Sequence, residues 1–158
     1  MQKIILLLTA LSLAACGGDS GEGSSNAANK GTFKATMGDT KYELAIRCYN
    51  FDNNKIEKDF MFISDNVSGK DMNGDGITVR GDRIKVGKDV SPIEVDGMSI
   101  DIVDHGVSYS ADPMIAAMEK RETWTKTSNG ITGTDKLYKD EDPLNGEAYL
   151  LTYEVICK

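Results

Sequence analysis

The stretch Glu147 to Cys157, EAYLLTYEVIC, carries Tyr149, Leu151, Tyr153, Val155 and Cys157 at every second position. Side chains alternate between faces only in an extended chain, so this stretch reads as a strand with one apolar face. Lys41 to Tyr49, KYELAIRCY, repeats the pattern: Tyr42, Leu44, Ile46 and Cys48 share a face, and Lys41, Glu43, Ala45, Arg47 and Tyr49 take the other. Two long amphipathic strands near opposite ends of the chain predict a β-rich domain.

Working outward, Thr32 to Met37 alternates as well, and Gly38-Asp39-Thr40 supplies a turn into the Lys41–Tyr49 strand, so the domain opens with a hairpin. Asp52-Asn53-Asn54 reads as the next turn. Phe60-Met61-Phe62-Ile63 is apolar on both faces and suggests a central strand. Short alternating runs follow at Ile84/Val86, Ile93/Val95, Met98/Ile100/Ile102 and Val107/Tyr109. Asp96-Gly97 between two of them is a hairpin signal, and His105-Gly106 has the look of a turn. Thr123 to Thr127 is β-branched and aromatic, turns at Ser128-Asn129-Gly130 and returns through Ile131 to Thr134; Asp142 to Gly146 reads as a surface loop. One short helix is suggested over 112–120, where Asp112 can cap, Pro113 takes the first position and Lys120 closes. The alternation of Met114, Ala116 and Met118 leaves a strand open there. The fold class expected is mainly β, a single-domain antiparallel sandwich or barrel.

The chain has 158 residues and a formal net charge of −7. That is enough for one sizeable core but not two. The acidic excess argues against a nucleic-acid partner, because neutralising phosphates requires clustered Lys and Arg. A single histidine excludes metal sites built from several histidines.

Residues 1–15 have the make-up of a signal peptide. Lys3 precedes an apolar run of about ten residues, short of the roughly 20 needed to span a ~30 Å hydrocarbon layer. Leu13-Ala14-Ala15-Cys16 resembles a bacterial lipobox, with Leu13, Ala14 and Ala15 as the peptidase recognition residues and Cys16 as the lipidated thiol. Residues 16–30 would then be the lipidated cysteine and a flexible tether rich in Gly, Ser and Asn, with a random-coil span of roughly 20 Å. Residues 31–158 form the globular domain. The covalent lipid on Cys16 would make the membrane a partner. Gly17 lacks the aspartate that retains lipoproteins at the inner membrane, so the resemblance implies the outer membrane, on its periplasmic or surface face. In an exported, oxidising compartment the two remaining cysteines, Cys48 and Cys157, are expected to form a disulfide, since both fall on core-facing positions.

Cys48 ending an early strand, Ile131-Thr132-Gly133-Thr134 after an Asn-Gly turn, the Asp142–Gly146 loop and Tyr153-Glu154-Val155-Ile156-Cys157 occur in this order behind the lipobox and tether. Together they resemble the mycobacterial LpqH-type surface lipoprotein antigen family. The resemblance covers the two ends of the chain and not Phe51 to Met118. It implies a lipid-anchored β domain with one disulfide, displayed on a cell envelope and lacking catalytic residues.

Several constellations could carry chemistry. In Asp71-Met72-Asn73-Gly74-Asp75-Gly76, oxygen donors at positions one, three and five with glycine at six match half of a calcium loop. Asp82 stands at position twelve, one methylene shorter than the usual glutamate, and the competing reading is an acidic hairpin turn. Calcium is thus the one cofactor the sequence suggests, through Asp71, Asn73, Asp75 and Asp82. Asp101, Asp104, His105, Ser108 and Ser110 invite a hydrolase reading, but no G-x-S-x-G elbow is present. Lys139 to Asp142 reads as a solvated charged run, and Trp124 as core packing or a surface anchor.

The expectation is a non-catalytic, lipid-anchored envelope lipoprotein whose disulfide-tied β domain binds an envelope or extracellular protein or glycan. The alternatives are an inhibitor of a hydrolase such as lysozyme, which is basic where this chain is acidic, and a calcium-dependent binding module.

Overall fold

The computed structural model describes residues 28–52, 55–65, 76–139 and 146–158. They form β1 (Asn29–Met37), β2 (Thr40–Asp52), β3 (Lys55–Ser64), β4 (Ile77–Val86), β5 (Val95–Asp104), β6 (Val107–Ala111), α1 (Pro113–Met118), β7 (Trp124–Lys126), β8 (Gly130–Lys139) and β9 (Ala148–Cys157). The strands run in the order β6-β5-β4-β3-β2-β1-β9-β8-β7, and a further pairing of β6 with β8 closes eight of them into an antiparallel barrel. β7 is the additional strand. It occupies the edge of β8 beside Ile131–Gly133, and β6 takes the same edge beside Tyr138 and Lys139.

The alternation read from the sequence fills this barrel. Phe33, Ile46, Phe60, Phe62, Ile100, Ile102, Leu137, Leu151 and Val155 are fully buried. Phe33 stacks between Phe62 and Tyr153 at ring-centroid distances of 5.7 and 6.5 Å. An eight-stranded barrel has room for about this many side chains. Large rings fit only where a neighbour lacks one: a Cβ on Gly81 would stand 2.2 Å from the Phe62 ring, so Gly81 is the hollow into which that ring packs.

The Cys48–Cys157 disulfide forms, across a separation of 109 residues, with the Cα atoms 6.0 Å apart. The two cysteines belong to β2 and β9, which lie on either side of β1. The bridge therefore crosses over β1, and Gly31 makes room for it, since a Cβ there would meet Cys48 Sγ at 3.0 Å and the Ile156 carbonyl at 2.4 Å.

Two local readings are corrected. Asp96-Gly97 is not a turn; both residues lie inside β5, paired with Lys85 and Ile84, and the connection between β4 and β5 runs through residues 87–94. Gly97 is there because Pro113 of α1 packs on it, 2.7 Å from where a Cβ would be, and Asp96 is the counter-ion of Arg83. The Phe60–Ile63 run does lie in a central strand, β3 between β2 and β4, with Phe60 and Phe62 fully buried and Met61 and Ile63 facing outward, partly exposed. The helix is Pro113–Met118, shorter than the stretch suggested. Asp112 caps it by accepting from Met114 N at 2.7 Å. It ends when Lys120 turns to φ +55° and Arg121 N bonds back to the Ala116 carbonyl at 2.9 Å.

Candidate functional site

With its interior occupied by side chains, the barrel offers ligands its outer wall. A groove of about 580 Å³ lies there, between the start of α1 and the outward face of β4, β5, β6 and β8. Its floor follows from pleat and register. Outward residues of β5 and β6 meet at the pair Asp101↔Ser110, Ser110 meets Tyr138 of β8, and Ser99 lies two positions along β5 from Asp101. Asp112 lies at the mouth because the helix must be capped where β6 ends. Ile84 and Met114 form apolar rims, 36% and 38% exposed.

The charges lining this groove are the two carboxylates. Asp112 spends Oδ1 on its cap. Asp101 forms no ion pair among the described residues. Its cross-strand neighbour Arg80 is held by Asp82, with Nε–Oδ2 at 2.7 Å and a second bond at 3.3 Å. The Ser110 hydroxyl is buried and has no hydrogen-bond partner among the described residues. The site is therefore an anionic floor between apolar rims, suited to a cation with a hydrocarbon stem.

The groove adjoins a sparsely paired part of the barrel. β3 and β4 pair only at Met61↔Asp82, Phe62↔Gly81 and Ile63↔Arg80. Beyond these pairs Arg83 bridges the gap. Its side chain, 9% exposed, binds Asp96 in bidentate fashion at 2.9 and 2.8 Å, donates to the carbonyls of Ile56 and Glu57, and lies 4.8 Å from the centre of the Trp124 ring. Burial alone would raise the Asp96 pKa, but the Arg83 bonds and charge, with Lys85 behind them, hold it below the usual carboxylate range. Trp124 is thus half-buried against Arg83, closer to its reading as a packed side chain than as a surface anchor.

A second polar staple joins α1 to β8. Arg121 binds Asp135 at 3.0 Å and also Glu119, which in turn takes Lys136. Asp135 is fully buried, accepts from Lys136 N at 2.8 Å and leaves Oδ2 without a partner among the described residues. Burial outweighs these bonds and pushes its pKa up. The neighbouring Tyr153, whose hydroxyl donates to the Thr123 carbonyl at 2.9 Å, is pushed far up by burial and then by Asp135.

The residues named from sequence are dispersed. Leu13, Ala14, Ala15 and Cys16 lie outside the described residues, as do Asp71, Asn73 and Asp75 and the run Asp140 to Asp142. Asp82 sits well inside β4, opposite Met61 and Ser99, and is ion-paired with Arg80. Among the described residues no three of His, Cys, Asp and Glu converge as a metal site. His105, at φ +48°, occupies the two-residue turn with Gly106 and contacts Asp104, whose other oxygen accepts from the buried Tyr42 at 3.0 Å. That bond, after burial itself, raises the Tyr42 pKa far above its ordinary value. Ser110 lies five residues on from His105, roughly 16 Å along an extended chain, and the His105 ring contacts Asp104, so His105 and Ser110 do not pair. Asp101 and Ser110, in contrast, do come together, as groove floor.

Ser99, Asp112, Ile84, Met114 and Tyr138 were missing from the site as read in sequence. They arrive from β4, β5, β8 and the capped start of α1 and share no motif; only the cap at Asp112 leaves a local signal. No family model, curated protein or solved structure matches this chain.

Proposed function

We propose that the protein is a non-catalytic, lipid-anchored envelope lipoprotein that holds its barrel out for binding on the outer wall. The observation that carries this reading is the barrel core filled by buried side chains beside an open, anionic groove on the wall. Support for the anchor comes from Leu13-Ala14-Ala15-Cys16 and the Gly/Ser-rich tether behind it. The tether would enter the domain at Asn29, next to the disulfide, where β1 is gripped on both edges by β2 and β9. A pull on the lipid would then load the strand that the covalent bridge crosses. The separation of His105 from Ser110 favours binding over hydrolysis. The acyl chains would make the membrane the first partner, and an envelope or extracellular protein the second.

The test of the anchor is metabolic labelling of expressing cells with radioactive palmitate. Wild-type protein takes up the label and Cys16→Ala does not. Label retained by the variant, or none in the wild type, defeats the reading.

A further inference from the structure

We propose that the groove beside α1 receives a lysine or arginine side chain carried by an extended segment of a protein partner, with a neighbouring apolar side chain of that segment resting on Ile84 and Met114. This rests on the reading of the wall as a binding surface but not on the lipid, so palmitate labelling and the experiment below can fail separately.

Charge complementarity selects the cation. Asp101 and Asp112 approach the groove from different elements, a strand and a helix cap, and no basic residue lines it. Arg80, opposite Asp101 in register, gives both its side-chain hydrogen bonds to Asp82 and reaches Asp101 only by a weaker attraction between charges. The Ser110 hydroxyl, buried beneath the floor, has no hydrogen-bond partner among the described residues, so the floor holds no competing cation there. The apolar rims suit a hydrocarbon stem, since lysine and arginine bury their methylenes while keeping the charged head on polar groups.

Shape selects an extended chain over a small amine. A second hollow, of about 620 Å³, shares Ile84 and Ser99 with the groove and continues over β4 to the unpaired portion of β3. The two hollows meet at Ile84 and Ser99. The second is lined by Lys58, Arg80, Arg83 and Lys85 against Asp59 and Asp82, so the cation belongs in the groove itself. A segment that reaches past Ile84 outspans a single amine. Ile84 stands exposed at the saddle, where the side chain next to the cation would land.

The test is heteronuclear NMR of the purified protein titrated with the capped peptide Ser-Leu-Lys-Leu-Ser, its norleucine counterpart, and spermidine. The lysine peptide should give saturable shifts at the amides of Ser99, Asp101 and Ser110, and the norleucine peptide should bind about tenfold more weakly or worse, as expected when a charge-assisted hydrogen bond is removed. The double variant Asp101→Asn/Asp112→Asn should lose a similar factor. Asparagine caps helices as well as aspartate does, so this change removes charge and keeps the helix. Absence of saturable shifts, equal binding by the norleucine peptide, or spermidine binding as tightly as the lysine peptide would overturn the proposal. The comparison among ligands holds on the wild type even if the variant misfolds.

Discussion

The two halves of the barrel are held by different means. From β2 through β1 and β9 to β8 the ladders are long: β1 pairs with β2 without a break from Asn29↔Cys48 to Met37↔Thr40, β9 pairs with β8 from Gly130↔Ile156 to Tyr138↔Ala148, and the disulfide ties the outer two of the three strands centred on β1. On the other side, β3 meets β4 over Met61 to Ile63, and β6 meets β8 only at Tyr109↔Lys139 and Ser110↔Tyr138. There the joints are completed by side chains: Arg83 across β3, β4, β5 and β7, and Arg121 between α1 and β8. The ladders carry a hollow too, of about 530 Å³ along β1, β2 and β9, but the groove with the two carboxylates lies nearer the sparse joints. The joints made by side chains lie beside the grooves. Where a sheet closes imperfectly, polar groups must be buried to finish it, and the surface next to them stays indented.

The contrast predicts an order of effects. The largest belongs to the laddered half: replacing Cys48 and Cys157 by alanine should cost about 4–5 kcal/mol in the chain-entropy picture for so long a loop, read from urea midpoints of oxidised protein and variant. A loss below about 1 kcal/mol would mean that the ladders alone hold this half. Next, Arg83→Ala should destabilise by about 1–3 kcal/mol, because it leaves the Ile56 and Glu57 carbonyls without their donor and leaves Asp96 only Lys85, at 3.5 Å. The same change at the exposed Arg47–Asp65 pair should cost about 1 kcal/mol or less, and equal losses would break the distinction drawn between staple and surface pair. Gly81→Ala should cost about 1–3 kcal/mol by forcing the Phe62 ring out of its hollow; the added variant Phe62→Leu should recover part of that loss.

The smallest effect is one of pH. Because burial raises the folded-state pKa of Asp135, the folded protein binds more protons than the unfolded chain just above the ordinary carboxylate pKa. Its contribution to stability is therefore fully favourable below the unfolded pKa and declines as pH rises through the folded one. Asp135→Asn should remove this decline, making the variant at least as stable as wild type at pH 7 and relatively less so at pH 4. Asp96, held low by Arg83, has the opposite sign: its stabilisation is present above the unfolded pKa and is lost as acid protonates it through the lowered folded value. Denaturation midpoints across pH 3 to 7 for Asp135→Asn against wild type measure the difference, and parallel curves would show that Asp135 does not contribute to it.

How far each part could be read in advance follows the same division. β2 and β9 were plain in the sequence because one face is core and the other solvent, so the period of two survives intact. β4 was seen only at Ile84 and Val86, since its inward positions are Val79, Gly81 and Arg83: a glycine making room for a ring and a cation staple do not look like an apolar face. Asp96-Gly97 was misread as a turn for a related reason. Both residues answer to distant partners, Arg83 and Pro113, and no local rule reports a distant partner. The pairing of Asp101 with Ser110 required the register of the β5–β6 hairpin, and the arrival of Asp112, Ile84 and Tyr138 beside them required closure of the barrel.

The chain by itself determined its strand character, its turns at Gly38 and His105-Gly106, its helix cap at Asp112 and the inward placement of both cysteines. These depend on backbone sterics and on alternation over a few residues, which are local quantities. The tertiary structure decided which strands close the barrel, which glycines take rings or a disulfide in place of a side chain, and which two carboxylates share a groove. Those outcomes depend on strand order and register, and both are set by the burial of residues far apart in sequence.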